Sequence, residues 1–203
     1  GGGAKDPREQ TGDGLEAIRQ VNITGHFLLA HELMPLLQVS PSARIVTQSS
    51  AARYFSKREK VEDLNGTNAE LFSAWDQYCL SKAACVLFTQ AVNDRLVKKG
   101  VDNVSAVVCD PGFSSTGVNI QHDLTASIGM LDKNTNQAHD EMGHHAADGA
   151  LPMILASIED TASRNAWYTT DGRASTTVEQ AAHVQDSKTM EESGFNVPSN
   201  DPL

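Results

Sequence analysis

Apolar residues recur at helical spacing in three stretches of the chain. Residues 14–37, 72–99 and 146–158 carry apolar side chains three or four positions apart. That spacing aligns the side chains along one face of a helix. We therefore predict three helices, of which the first is long and largely buried. Gly100 follows the second stretch and is expected to end that helix in the left-handed conformation.

Short runs with high β propensity alternate with these helices. Residues 43–48 and 104–109 are such runs, and residues 165–170 form a third. Helices that alternate with strands are typical of a parallel sheet covered by helices and joined by right-handed crossovers. The predicted fold class is therefore α/β, with the first two strands buried.

The chain of 203 residues is long enough for one domain with an apolar core, and we predict a single domain over residues 1–203. Residues 117–142 are polar and have no clear period. A loop of this kind is usually functional or mobile, and a substrate lid is one interpretation. The end of the chain, from about residue 175, is predicted to be a polar tail.

Composition and charge narrow the classes of partner. The formal net charge of -10 opposes binding to nucleic-acid phosphates. No apolar run approaches the roughly 18 residues that a membrane span requires. Cys79, Cys85 and Cys109 are an odd number of cysteines without a CxxC pair, and they lie among apolar residues. We predict free thiols in an intracellular, reducing compartment, no nucleic-acid partner and no transmembrane segment.

Tyr78 and Lys82 form the strongest local motif for chemistry. Their spacing puts the phenol and the ammonium on one face of the predicted second helix, about one turn apart. A nearby cation lowers the pKa of a phenol from about 10, and the lowered pKa suits proton transfer at neutral pH. Alone, the motif is weak, and a half-buried tyrosine with a surface lysine on the same helix is the more common interpretation.

Further residues place this motif in a defined order. Asn22 lies in the first predicted helix, Ser49 and Ser50 end the first predicted strand, and PGFSST at 111–116 follows the next strand. In this order the chain resembles the short-chain dehydrogenase/reductase family, whose members carry a helical Asn, a strand-end Ser, YxxxK and PGxxxT. Residues 21–29 also resemble a helix of the retinol-dehydrogenase-like and protochlorophyllide-reductase-like members.

The resemblance implies a role for each of these side chains. Tyr78 would exchange a proton with the substrate oxygen as general acid/base, and Lys82 would lower the pKa of Tyr78. Ser50 would hold the substrate oxygen, and the choice of Ser50 over Ser49 comes from the resemblance alone. Asn22 would position a water that links Lys82 to solvent.

The implied cofactor is NADP or NAD. Tyr78 and Lys82 would lie at its nicotinamide ribose, and Thr116 with the backbone of Pro111 and Gly112 would contact the carboxamide. The cofactor would carry the hydride, while the protein would orient a small apolar alcohol or carbonyl substrate.

The family's opening strand, Gly-rich turn and helix, which seat the cofactor pyrophosphate, have no counterpart in this sequence. The resemblance is therefore to the C-terminal portion of a Rossmann-like domain. Without the opening half, the strand that contains Ile45 and Val46 would lie at an open sheet edge. The expected protein partner is a second copy, paired through the two long helices as in the family, or another chain that covers this edge.

Three functional classes remain open at this point. The first is an NAD(P)-dependent oxidoreductase represented by a truncated sequence. The second is a non-catalytic subunit that keeps the dehydrogenase scaffold as a structural piece of a larger assembly. The third is a binding or regulatory module in the same fold. The catalytic side chains favour the first class, and the missing nucleotide segment favours the second.

A group of histidines is a weaker candidate for chemistry. His139, His144 and His145 lie close together, but no two of them are four residues apart as paired ligands on a helix would be. We expect these histidines to lie on a solvated loop or helix face, and we predict no metal site.

Overall fold

Helices and strands alternate along the chain in the computed structural model. The structure describes residues 10–56, 65, 72–112, 114–115, 143–160 and 163–170. In chain order the elements are α1 (Ala17–Arg19), a π-helical turn (Gln20–Thr24), α2 (Gly25–Val39), β1 (Ala43–Gln48), a 3-10 turn (Ala51–Phe55), α3 (Ala74–Lys98), β2 (Val104–Asp110), β3 (Ser114–Ser115), β4 (His144–His145), α4 (Ala146–Ile158) and β5 (Trp167–Thr169). The predicted lid and the predicted tail lie outside the described residues.

The main sheet is parallel and has the strand order β1-β2-β5. β1 pairs with β2 along its whole length, with Ala43 opposite Val104 and Gln48 opposite Cys109. β5 pairs with the end of β2. Within the described residues β1 is an edge strand, and it is half-buried rather than buried because one neighbour covers it. The predicted α/β fold, a Rossmann-like parallel sheet flanked by helices, is confirmed.

Residues of β2 alternate between two apolar layers. Val104 and Ala106 pack with side chains of α2 and α3. Val107 and Cys109 pack with Ala156 and other residues of α4. Because successive side chains of a strand point to opposite faces, α2 and α3 cover one face of the sheet and α4 covers the other.

The two connections between the parallel strands differ in hand. β1, β2 and β5 follow one another across the sheet in one direction, while α3 and α4 lie on opposite faces. Two such connections have opposite hands, so the prediction of right-handed crossovers throughout is wrong. The rule applies to a strand that feeds directly into its helix. Here the long segment 111–145 separates β2 from α4.

The first predicted helix is exposed, contrary to the prediction that it is largely buried. None of the residues of α2 is buried. The exposed large apolar residues of this region are Val21, Phe27, Leu28, Leu29, Leu33, Leu36 and Val39. α2 reaches the sheet through Met34 and Leu37. Its apolar residues extend around more of the helix than this one contact face buries. Among the described helices, none combines the length and apolar character needed to cross a membrane.

Local side chains set the limits of α3. Ser73 Oγ accepts a 3.2 Å hydrogen bond from the main-chain N–H of Asp76, so the helix begins after Ser73, two residues later than predicted. Gly100 has a φ of 66° directly after the last turn. The prediction of a left-handed glycine at this helix end is confirmed.

Asn93 connects α3 to β2. Its buried side chain accepts a 2.8 Å hydrogen bond from Ala106 N and donates a 2.8 Å hydrogen bond to Ala106 O. We expect Asn93→Ala to lower the free energy of unfolding by about 1–3 kcal/mol, because the buried Ala106 N–H would lose its acceptor. Urea unfolding followed by circular dichroism measures this change. Asp94→Ala, at the exposed neighbouring position, is the control, with an expected change within about 0.5 kcal/mol. Equal effects of the two variants would contradict this role of Asn93.

Candidate active site

Tyr78 and Lys82 lie one turn apart on α3, at the carboxyl end of β1. Tyr78 is half-buried, and Lys82 Nζ lies 5.6 Å from the centroid of its ring. The same Nζ donates a 3.3 Å hydrogen bond to the main-chain carbonyl of Gln48, the last residue of β1. The pair therefore lies where ligand sites of open parallel sheets form, outside the carboxyl ends of the strands.

The two serines after β1 have different partners. Ser49 is buried, and its hydroxyl donates a 2.7 Å hydrogen bond to the main-chain carbonyl of Lys82. The side chain of Ser50 faces the Tyr78 phenol and acts as a hydrogen-bonding group that lowers its pKa. Ser50 Oγ also accepts a 3.2 Å hydrogen bond from Ala52 N. Ser50 is therefore the serine whose hydroxyl meets the phenol, while Ser49 holds the main chain of α3 against the strand end.

Asn22 lies in the π-helical turn between α1 and α2. Its Nδ2 donates a 2.9 Å hydrogen bond to Ser81 Oγ, which donates a 2.7 Å hydrogen bond to the main-chain carbonyl of Tyr78. The main-chain carbonyl of Asn22 accepts a hydrogen bond from Cys85 Sγ at 3.6 Å. Single π-helical turns often occur at functional sites. Asn22 is thus joined to the turn of α3 that carries Tyr78 and Lys82, and its water link to Lys82 stays a prediction.

Burial dominates the electrostatics of Tyr78. It raises the pKa of the phenol above the ordinary value of 10.0, the hydrogen bond with Ser50 opposes this rise, and the Asp110 carboxylate adds to it. The prediction that Lys82 leaves Tyr78 with a lowered pKa is therefore wrong for this structure. The physical reason is that removing a phenolate from water costs more than the neighbouring groups return.

The turn after β2 lies beside the end of β1, because the two strands are paired up to Gln48 and Cys109. Asp110 Oδ1 accepts a 2.9 Å hydrogen bond from Gly112 N, and Gly112 has a φ of 65°. A Cβ at position 112 would lie 1.8 Å from Thr170 Oγ1, so this turn requires glycine both for its conformation and for its packing. Pro111 and Gly112 therefore lie at the end of β2, next to the end of β1. Thr116 lies outside the described residues.

Known proteins are similar in sequence to about half of this chain. Retinol dehydrogenase 12 of Bos taurus is 41% identical over 95 residues, which are 47% of this chain and 29% of that protein. Polyprenol dehydrogenase of Homo sapiens is 38% identical over 116 residues, which are 55% of this chain and 34% of that protein. Over the matched residues the chain is similar to members of the short-chain dehydrogenase/reductase family, in keeping with the resemblance seen in its motifs.

A solved structure shares the fold over most of the chain. A crystal structure of an uncharacterised protein from Mycobacterium paratuberculosis has a TM-score of 0.63 and 26% sequence identity, and the match covers 91% of this chain and 56% of that one. No family model matches the sequence. The matched segments span about a third of the length of the curated relatives.

The candidate site also contains Arg53, which the sequence analysis did not identify. The Arg53 guanidinium forms an ion pair with the Asp110 carboxylate and donates a 2.8 Å hydrogen bond to the main-chain carbonyl of Ser50. Arg53 lies in the 3-10 turn, where no hydrophobic period marks it, and 57 positions separate the two charges. The available signal was their placement, since Arg53 closely follows Ser50 and Asp110 directly precedes Pro111.

The prediction of a solvated face is wrong for His144. This side chain is 3% exposed, and its Nε2 lies 2.8 Å from Ser114 Oγ and 2.7 Å from the Pro111 carbonyl. The pairing of β3 with β4 buries it behind the turn that follows β2. His145 is exposed and caps the first turn of α4. The described part of the chain holds no group of three side chains that could bind a metal ion, and His139 lies outside it.

The three cysteines, Cys79, Cys85 and Cys109, are buried free thiols. Burial raises the pKa of Cys85. Burial and the Asp110 carboxylate raise the pKa of Cys109 to about 12, against the opposing effect of Lys82. A buried thiol with a raised pKa is a poor nucleophile, because the thiolate is the reactive form.

We expect the folded chain to react slowly with a disulfide reagent such as DTNB at mildly alkaline pH, and all three thiols to react once urea unfolds it. Absorbance of the released thionitrobenzoate measures both rates. Rapid labelling of all three thiols in the folded chain would contradict their burial. Because the pKa of Cys109 rises from 9.0 to about 12 on folding, its contribution to stability is complete below pH 9 and is lost as the pH rises towards 12.

Proposed function

We propose that this chain carries the proton-transfer site of an NAD(P)-dependent oxidoreductase that interconverts an alcohol and a carbonyl compound. The observation that carries the proposal is the meeting of Ser50, Tyr78 and Lys82 at the carboxyl end of β1. The Ser50 side chain acts on the pKa of the Tyr78 phenol as a hydrogen-bonding group, and Lys82 Nζ lies 5.6 Å from the centroid of the tyrosine ring. Similarity to a retinol dehydrogenase and a polyprenol dehydrogenase supports the reaction class.

Tyr78 would exchange the proton with the substrate oxygen. Its raised pKa keeps the phenol protonated at neutral pH. The protonated phenol is the form that donates to a carbonyl oxygen while the carbonyl carbon receives a hydride. In the reverse direction the phenolate would accept the hydroxyl proton as the hydride leaves the carbinol carbon. Ser50, which faces the phenol, would donate to the same substrate oxygen and stabilise the charge that develops there.

A bound nicotinamide cofactor, NADP or NAD, would supply or accept the hydride. Lys82 suits the ribose hydroxyls, because an ammonium has three N–H donors and the described residues give it one acceptor, the Gln48 carbonyl. The main chain of Pro111 and Gly112 lies at the end of β2, on the side where the carboxamide is expected. Thr116 would complete this proposed set from outside the described residues.

Aromatic side chains beside Tyr78 support an apolar substrate. The ring centroids of Trp75 and Tyr78 are 5.8 Å apart, and those of Phe55 and Trp75 are 6.2 Å apart. Phe55 is 54% exposed, so this row of rings runs from the phenol to the surface. Ligand sites combine such apolar walls with a few polar groups that orient the ligand. We propose a small apolar alcohol or carbonyl compound as the substrate, in keeping with the relatives named for retinol and polyprenol.

Tyr78→Phe tests the proposed function. With retinol as substrate and NADP or NAD supplied, we expect the native chain to form reduced cofactor and the variant to lose about 100-fold or more of kcat, because the proton acceptor is gone. Fluorescence of the reduced cofactor reports turnover, and titration with NADPH reports cofactor binding. We expect the binding to be weakened less than the turnover.

Tyr168→Phe is the matched control, because it removes a phenolic hydroxyl that bonds to Glu159 on the α4 face of the sheet. It should leave turnover per folded molecule unchanged. A folded native chain that neither binds NADPH nor turns over would contradict the proposal and favour the second candidate, a non-catalytic structural subunit.

The exposed apolar side of α2 supports the predicted contact with a second copy of the chain. Leu36 on α2 is 66% exposed, and Ile158 at the end of α4 is 69% exposed. We expect the chain to sediment as a dimer and Leu36→Glu to shift it towards the monomer, because a buried unpaired carboxylate is costly. Ile158→Glu, a matched change on the opposite face, should leave the dimer intact. A monomeric native chain would favour a different partner chain at the sheet edge.

A further inference from the structure

Arg53 and Asp110 form a buried ion pair between two loops of the proposed site. Their residues are 5% and 2% exposed. Arg53 lies in the 3-10 turn after Ser50, and Asp110 is the last residue of β2. The pair therefore links the two segments that follow the carboxyl ends of β1 and β2. Neither residue belongs to the set Ser50, Tyr78 and Lys82 that the proposed reaction uses.

Each member of the pair also hydrogen-bonds to the main chain of its own loop. Arg53 Nη1, which pairs with Asp110 Oδ2, also donates a 2.8 Å hydrogen bond to the Ser50 carbonyl. Asp110 Oδ1 accepts a 2.9 Å hydrogen bond from Gly112 N. One guanidinium and one carboxylate thus connect the main chain of Ser50 with the main chain of Gly112. Ser50 carries the hydroxyl that faces Tyr78, and Gly112 lies on the side where the cofactor is proposed to bind.

The surroundings of Arg53 are specific for a planar cation. Its guanidinium carbon lies 4.0 Å from the ring centroid of Tyr54 and 3.9 Å from that of Trp167. Its Nη2 also donates a 2.6 Å hydrogen bond to Tyr54 Oη. A guanidinium can stack on rings and bond in its own plane at the same time, which an ammonium cannot do. Trp167 belongs to β5, so Arg53 is fixed against the sheet as well as against Asp110.

Stability alone is a poor explanation for this pair. Removing two charges from water costs about as much as their attraction returns, and apolar replacements of buried ion pairs are often neutral or stabilising. Its position is informative instead, since the Asp110 carboxylate acts on Tyr78 through space. Without Arg53, that carboxylate would stand uncompensated beside the proton-transfer group.

We propose that Arg53 and Asp110 are positioning residues, which hold Ser50 and the Pro111–Gly112 turn at a fixed separation and keep the Asp110 charge balanced beside Tyr78. This inference rests on the proposed function for its consequence in turnover. Misplacement of a reacting group by about 1 Å costs on the order of 100-fold in rate. The pair would therefore act on kcat through Ser50 and Tyr78.

Steady-state kinetics of Arg53→Met and Arg53→Lys test the positioning role. We expect Arg53→Met to lower kcat about 10-fold to 100-fold with little change in KM, because substrate is still bound but the reacting groups are displaced. Arg53→Lys should recover part of the loss, since it keeps the charge but not the planar stacking. Equal kcat values for both variants and the native chain would overturn the proposal.

Arg44→Lys is the matched control for Arg53→Lys, because it makes the same replacement at an arginine distant from the proposed site. Arg44 is half-buried near the start of β1, and its Nη1 donates a 2.7 Å hydrogen bond to the Ala156 carbonyl. It lies six residues before Ser50 in the sequence, at the other end of the strand. Its replacement should leave kcat per folded molecule unchanged. A loss of kcat as large as that of Arg53→Lys would mean that the effect is a general loss of structure.

A second readout needs no turnover. Carbon-13 NMR of the labelled Tyr78 phenol, assigned with Tyr78→Phe, follows its titration directly. The groups that face this phenol are Asp110 from β2, the Ser50 hydroxyl, and Lys82, Cys79 and Cys85 from α3. We expect the pKa of Tyr78 to rise in Arg53→Met, where Asp110 is uncompensated, and to fall in Asp110→Asn, where the charge is removed.

The double variant Arg53→Met with Asp110→Asn keeps the test decisive if Arg53→Met does not fold, because it leaves no unpaired buried charge. We expect slow turnover in this double variant as well, since the Ser50 carbonyl loses the guanidinium donor and keeps only the main-chain N–H of residue 53. An unchanged pKa of Tyr78 in Asp110→Asn and normal kcat in the double variant would overturn the inference. If the native chain shows no turnover but the titration shifts as expected, the proposed function fails and the link between the ion pair and Tyr78 stands.

Discussion

The parallel pairing of β1 with β2 is the interaction on which the candidate site depends. Gln48 lies opposite Cys109, and the ladder continues with a 2.8 Å hydrogen bond from Ser49 N to the Cys109 carbonyl. This register brings the segment after β1 alongside Asp110 and the turn that follows it. A slip of one residue would exchange the two faces of β1. Ser50 would then no longer meet Tyr78, and the apolar residues of the strand would leave their layers.

Burial disfavours the ionised forms of the phenol and the thiol in this site. The phenol of Tyr78 and the thiol of Cys109 both hold their protons more tightly in the folded chain. The buried charges of Arg53 and Asp110 compensate each other, as unpaired charges in such surroundings are costly. Lys82 differs because it is half-exposed and bonded to a neutral carbonyl. It is therefore the cation of this site that is placed to meet an incoming ligand.

Local patterns predicted the elements of the fold well. The bounds of β1 and of α4 match the apolar runs, because each run packs apolar residues into the layer against β2 and is flanked by polar residues. The spacing of Tyr78 and Lys82 was sufficient to place both on one face of a helix. Pairings distant in sequence were not predictable in this way. The bond of Arg53 to Asp110 and the burial of His144 depend on strand order and on a long connection, neither of which leaves a periodic signal.

The exposure of α2 illustrates a different limit of pattern reasoning. An apolar period shows that a helix has a face to bury, but it does not say what covers that face. α2 leads into β1 through a short turn, and its contacting side chains Met34 and Leu37 pack beside Ile45. Among the described strands, β1 also has one edge without a neighbour. A second copy packed on α2 would leave the main-chain groups of that edge unpaired, whereas a partner that adds a strand to β1 would satisfy them. The edge of β1, more than the apolar surface of α2, therefore distinguishes the two predicted partners, a second copy of the chain and a different chain that pairs with β1.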